Sequence, residues 1–106
     1  MKNMKKYNKL VRDKIPKIIR ASGSACKTRT MKSDEVESFY RKKVQEELNE
    51  LFENPCAEEM ADLMEVVDSL RFMLDLDITK VIEAKCNKRN DRGGFKDGTI
   101  LIHVEE

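Results

Sequence analysis

Between Val36 and Leu74 the chain carries apolar residues at helical spacing, interrupted once by Asn54-Pro55. Proline lacks an amide hydrogen and is tolerated in the first turn of a helix, with asparagine favoured just before it, so this pair ends one helix and starts another. Two amphipathic helices joined by so short a link must run antiparallel. The first is expected from an N-cap at Ser33 to about Glu53, with Asp34, Glu35 and Glu37 placing negative charge in its first turn. The second should reach about Leu74. Asp77 is placed to cap a third, Ile78 to about Asn90, which Gly93-Gly94 ends.

The flanks are simpler. Tyr7 to Val11 reads as a short, partly extended segment, and Asp13 to Arg20 as a short helix with Pro16 in its first turn. Residues 21–33 are small and polar and read as a loop. Thr99 to Val104 (TILIHV) is apolar and β-branched, which predicts a short strand paired with Tyr7 to Val11 or with another subunit. A length of 106 residues suffices for one modest core. The expected architecture is therefore all-α: one domain over residues 1–106, a small helical bundle of three main helices, a short N-terminal segment and a short C-terminal β-strand. Each helix has a wider apolar arc than so small a bundle covers, which predicts a homodimer or a dimer of dimers formed through the helices.

Charge is distributed unevenly. Residues 1–32 hold eleven Lys and Arg against one acid, and residues 33–106 hold ten against nineteen. Such a split invites an anionic ligand at the basic end or cations at the acidic end. The three cysteines, Cys26, Cys56 and Cys86, form no CxxC pair and no even disulfide set, so they read as free thiols in a reducing compartment. No apolar run approaches the roughly 20 residues of a membrane span, and the basic start lacks a signal peptide's apolar stretch. A soluble, cytoplasmic protein without a membrane partner is expected.

Helical arithmetic, about 100 degrees per residue, then assigns a direction to every acid. Val36, Phe39, Tyr40, Val44, Leu48, Leu51 and Phe52 define the inner side of the first helix, with Lys43, Glu47 and Glu50 inside that arc and Glu46 at its edge. In the second, Met60, Leu63, Met64, Val66, Val67, Leu70 and Met73 define the inner side, with Glu59 inside and Asp62 at the border. Glu58, Glu65 and Asp68 point away. Buried ionised carboxylates cost several kcal/mol each unless compensated, and clustered ones repel one another besides. A divalent cation supplies that compensation. Carboxylates are hard ligands suited to Mg2+ or Mn2+, and the lone histidine, His103, removes the Glu-x-x-His pairs of a di-iron bundle. Mg2+ keeps several waters and usually binds phosphate as well, which points to a phosphorylated substrate. On the third helix, Lys85, Arg89 and Arg92 share a side with Ile78, Val81, Ile82 and Cys86. They are placed either to pair with Glu59 or Asp62 or to hold phosphate oxygens beside the metal.

EELNE (Glu46 to Glu50) followed by EMAD (Glu59 to Asp62) resembles the EExxE…ExxD signature of the all-α nucleoside triphosphate pyrophosphohydrolases. YNKLVRDKIP (Tyr7 to Pro16) and KRNDRGGFKDGTILI (Lys88 to Ile102) are similar to the flanks of a MazG-like, phosphoribosyl-ATP pyrophosphohydrolase-like branch of that group. The resemblance thus spans nearly the whole chain. It implies Mg2+-dependent cleavage of a nucleoside triphosphate to monophosphate and pyrophosphate, with Glu47, Glu50, Glu59 and Asp62 as metal ligands. Glu46 would be a further ligand or would orient the attacking water, so that Glu46 and Glu47 carry catalysis. Lys85, Arg89 and Arg92 would hold the phosphates, with Lys9, Arg12 and Lys14 approaching them. Eight residues separate Glu50 from Glu59, fewer than is usual in MazG itself, and a frame using Glu65 and Asp68 would restore a longer gap. The alternative function class is a non-catalytic module, either a nucleotide sensor or a nucleic-acid binder using residues 1–32. The acidic remainder of the chain weighs against nucleic acid.

Overall fold

The computed structural model describes residues 4–105. In chain order it comprises α1 (Ile15–Ala21), a 3-10 turn (Ser33–Glu35), α2 (Val36–Glu53), α3 (Ala57–Met73) and α4 (Ile78–Arg92). Pro16 lies in the first turn of α1, where no amide is missed. Asn54-Pro55 separates α2 from α3, which opens two residues later with Cys56 as its cap residue. Asp77 caps α4 as expected: its Oδ1 accepts the Lys80 amide at 3.0 Å. Gly93, at φ 81°, ends that helix in a conformation that L side chains rarely adopt.

Ser33 does not cap α2. It opens the 3-10 turn, and Glu35, at the N-cap position of α2, makes no side-chain bond to that helix: its carboxylate closes the 3-10 turn by accepting the Lys32 amide at 2.9 Å, and Arg29 forks onto its two oxygens at 2.7 and 2.8 Å. The guanidinium and that amide together hold the Glu35 carboxyl down at about 2. The Arg29 guanidinium also stands 5.7 Å from the centre of the Phe39 ring. These contacts anchor the loop after α1 to the head of α2.

The packed heart of the molecule is the antiparallel α2–α3 hairpin. Tyr40 lies in its seam, 4% exposed, with its hydroxyl 2.7 Å from Ser69 Oγ on α3. Leu48 and Leu51 of α2 meet this seam half-buried, as do Leu63, Val66 and Leu70 of α3. The rest of the expected α3 inner side faces solvent: Met60, Met64, Val67 and Met73 are 43–64% exposed. Phe52 also points outward. The arc is wide because α3 has two apolar stripes, and one chain covers only one of them.

α4 packs against neither α2 nor α3. The chain turns at Asp75, in a left-handed conformation (φ 56°), and Arg71 Nη1 donates to the Leu76 carbonyl at 2.8 Å, fixing the direction in which α4 departs. Every residue of α4 is exposed. The result is elongated, 68 × 31 × 27 Å, with a radius of gyration of 18.7 Å, where a compact domain of this length has about 13 Å.

The expected C-terminal strand is not formed. Residues 99–104 are irregular and exposed, and no strand occurs among the described residues. The segment before α1 is irregular as well and forms no ladder with them. β-branched composition favours a strand only where a neighbouring edge supplies hydrogen bonds, and a single chain offers residues 99–104 none.

Candidate metal centre

Glu46, Glu47 and Glu50 project from two successive turns of α2, and Glu59 and Asp62 from successive turns of α3, because i, i+3 and i+4 positions share a helix face. The hairpin turns these faces toward each other. Carboxylate oxygens of Glu46, Glu47 and Glu50 lie within 4.8 Å of one another, and so do those of Glu47, Glu59 and Asp62. Glu47 belongs to both groups and is the most buried acid, 6% exposed. Glu65 and Asp68 are exposed, and Asp68 pairs with Arg71 on its own helix at 3.1 Å. The geometry therefore joins Glu59 and Asp62, not Glu65 and Asp68, to the α2 acids.

Two oxygens decide what the cluster can do. Glu47 Oε2 and Glu59 Oε2 are buried and have no hydrogen-bond partner. A buried, unpartnered carboxylate oxygen costs free energy that native proteins seldom leave uncompensated. The donor set around them is all carboxylate, hard and negatively charged, which fits Mg2+ or Mn2+ and offers no soft ligand for zinc or copper.

The chain's own cations meet other oxygens of the cluster. Lys43, one turn before the acids on α2, places Nζ 3.2 Å from Glu47 Oε1 and 3.6 Å from Glu46 Oε2. The segment before α1 crosses the head of the groove, where Lys9 Nζ reaches Glu46 Oε1 at 2.8 Å and Arg12 Nη2 reaches Asp62 Oδ1 at 2.7 Å. The Lys9 hydrogen bond holds the Glu46 carboxyl below the usual carboxylate range and raises Lys9 in return. Glu50 moves the other way. Desolvation pushes its carboxyl up, and the charges of Glu47, Glu59 and Glu46 add to that push.

Lys9 and Arg12, expected near phosphate, thus contact carboxylates of the centre itself. Lys14 is exposed at the start of α1. Lys85, Arg89 and Arg92 are not brought to the acids: they sit on exposed α4, and none makes an ion pair among the described residues. Helical spacing fixed their common side but not the direction of α4. Sequence reasoning placed Lys43 inside the arc without giving it a part in the site. Its i+3 and i+4 relation to Glu46 and Glu47 was the available signal.

Cys56 and Cys86 are exposed thiols, and Cys26, half-buried, donates to the Pro16 carbonyl at 3.8 Å. Among the described residues no helix is long and apolar enough to cross a membrane. The chain matches no family model, no curated protein and no solved structure.

Proposed function

We propose that the protein is a Mg2+-dependent nucleoside triphosphate pyrophosphohydrolase, releasing monophosphate and pyrophosphate without a covalent intermediate. The observation that carries this reading is the pair of buried, unpartnered oxygens, Glu47 Oε2 and Glu59 Oε2, in a cluster completed by three further carboxylates, Glu46, Glu50 and Asp62. Glu47, Glu50, Glu59 and Asp62 would hold the ion. A bound Mg2+ supplies Lewis-acid stabilisation of phosphate oxygens and a water of lowered pKa. Glu46, at the groove edge, accepts hydrogen bonds and is placed to orient that water once a substrate draws Lys9 away. Lys9 and Arg12, cations on long stems, have the chemistry to exchange a carboxylate for a phosphate oxygen. The free thiols fit a cytoplasmic protein.

The reading extends to a homodimer or dimer of dimers. The outer stripe of α3 (Met60, Met64, Val67) and the apolar side of α4 (Ile78, Val81, Ile82) are both uncovered, and they do not cover each other. A second copy, related by a two-fold axis, covers both at once. The same apposition would carry Lys85, Arg89 and Arg92 of one copy toward the acids of the other. Light scattering at micromolar concentration should therefore give at least twice the mass of the chain, and Met64→Glu with Val67→Glu should return it to the monomer. A wild type that is already monomeric removes this part of the proposal.

The test of activity is pyrophosphate release across the NTPs and dNTPs, with Mg2+ and with EDTA. Release that EDTA abolishes supports the reading. Mg2+-dependent nucleotide binding with no product favours a sensor instead, and binding that needs no Mg2+ and collapses with salt favours a nucleic-acid module.

A further inference from the structure

The acidic centre is filled unevenly. On its Glu46 side both carboxylate oxygens already face ammonium groups: Lys9 Nζ at 2.8 Å from Oε1 and Lys43 Nζ at 3.6 Å from Oε2. Lys43 is no surface cation. Its side chain is 13% exposed and its Nζ also lies 3.2 Å from Glu47 Oε1. An ammonium that far out of water persists only where carboxylates surround it. On the other side, Glu47 and Glu59 each keep a buried Oε2 without a hydrogen-bond partner, and carboxylate oxygens of Glu47, Glu59 and Asp62 lie within 4.8 Å of one another. Glu50 has a carboxylate oxygen within 4.8 Å of one of Glu47's and makes no ion pair among the described residues. Arg12 takes only one oxygen of Asp62, at a half-exposed position, and leaves the other free.

We infer that the centre takes a single divalent cation, among Glu47, Glu50, Glu59 and Asp62, and that Lys43 stands as a built-in cation where a second ion would otherwise bridge Glu46 and Glu47. The inference rests on the metal reading above and adds its stoichiometry and a residue. Lys43 is a positioning residue: by holding Glu47 through Oε1 it aims Oε2 at the ion. A second divalent ion between Glu46 and Glu47 would have to displace that ammonium or sit against it, and like charges at such separations repel strongly away from bulk water. Glu46 is accordingly no ligand of the ion.

The experiment is a Mn2+ titration of the metal-free protein, with bound ions counted by calorimetry and their surroundings read by electron paramagnetic resonance. Wild type should bind one Mn2+ per chain with the spectrum of an isolated ion. Lys43→Met should bind two and show the broadening of a coupled pair sharing Glu47, whereas Lys43→Arg, which keeps the charge, should return to one. Two ions per chain in wild type would overturn the inference, as would one uncoupled ion in a folded Lys43→Met. Circular dichroism establishes folding of the variant, and the wild-type count decides by itself if that variant does not fold. No Mn2+ bound to wild type at all is a different outcome: it removes the metal reading, and the inference with it.

Discussion

In EDTA, Glu50→Gln should melt at or slightly above the wild-type temperature, and with Mg2+ the order should reverse. Glu50 is pressed by desolvation and by three neighbouring carboxylates, with no cation of its own, so removing its charge at nearly constant volume relieves repulsion. Solvent screening at this half-buried position limits the gain to a few tenths of a kcal/mol, or about 1 at most. With the ion present, wild type gains its binding free energy, about 2.7 kcal/mol at a hundredfold excess over Kd, and the variant gains less. Pyrophosphate release should fall by about 10²-fold or more, the scale on which losing one transition-state stabiliser acts. Asp62→Asn provides the contrast. Asp62 already has Arg12 at 2.7 Å in a half-exposed pair, so in EDTA this variant should lie level with wild type or below it by up to about 1 kcal/mol. Were these acids structural partners of buried cations, Glu50→Gln would lose as much stability in EDTA as in Mg2+, and that result would sink the metal centre.

Tyr40→Ala should produce the largest loss of stability of any single truncation, about 3 to 5 kcal/mol. Tyr40 is the one apolar residue that is buried among the described residues, and it fills the seam on which α2 and α3 meet. Little else replaces it, because the half-buried leucines around it keep part of their surface in water. Tyr40→Phe isolates the polar share: it removes the 2.7 Å hydrogen bond and leaves Ser69 Oγ to find water, at about 1 kcal/mol. Urea unfolding at one fixed protein concentration measures both. An unchanged midpoint for Tyr40→Ala would mean that the hairpin is held by something other than this seam.

The hairpin and the inward acids were legible because both depend on local rules. Asn54-Pro55 breaks a helix wherever it occurs, and a residue's direction on a helix follows from its number. That arithmetic separated Glu47 and Glu59 from Glu58 and Glu65, as the structure does. Where distant parts of the chain meet was not legible. Lys9 finds Glu46 across 37 positions and Arg12 finds Asp62 across 50, and no local pattern encodes either pairing. Ser33 looked like the cap of α2 by residue type, but it lies in a 3-10 turn closed by Glu35, whose carboxylate Arg29 holds from the preceding loop. Apolar residues on α3 marked two faces, and sequence spacing does not say which one the same chain covers. Residues 99–104 have the side chains of a strand, but strand formation is decided by the neighbour, which composition does not reveal.

The isolation of α4 bears on how any stability of this protein is to be read. A helix of 15 residues, every one exposed and packed against neither α2 nor α3, is near the length at which helices in water are marginal. If its support comes from a second copy, its order is a matter of mass action: dilution lowers helix content without denaturant, and a melting temperature belongs to a stated protomer concentration. The α2–α3 hairpin, which makes its packing within one chain, would hold its structure under the same dilution, so the two halves of the molecule would come apart on separate curves.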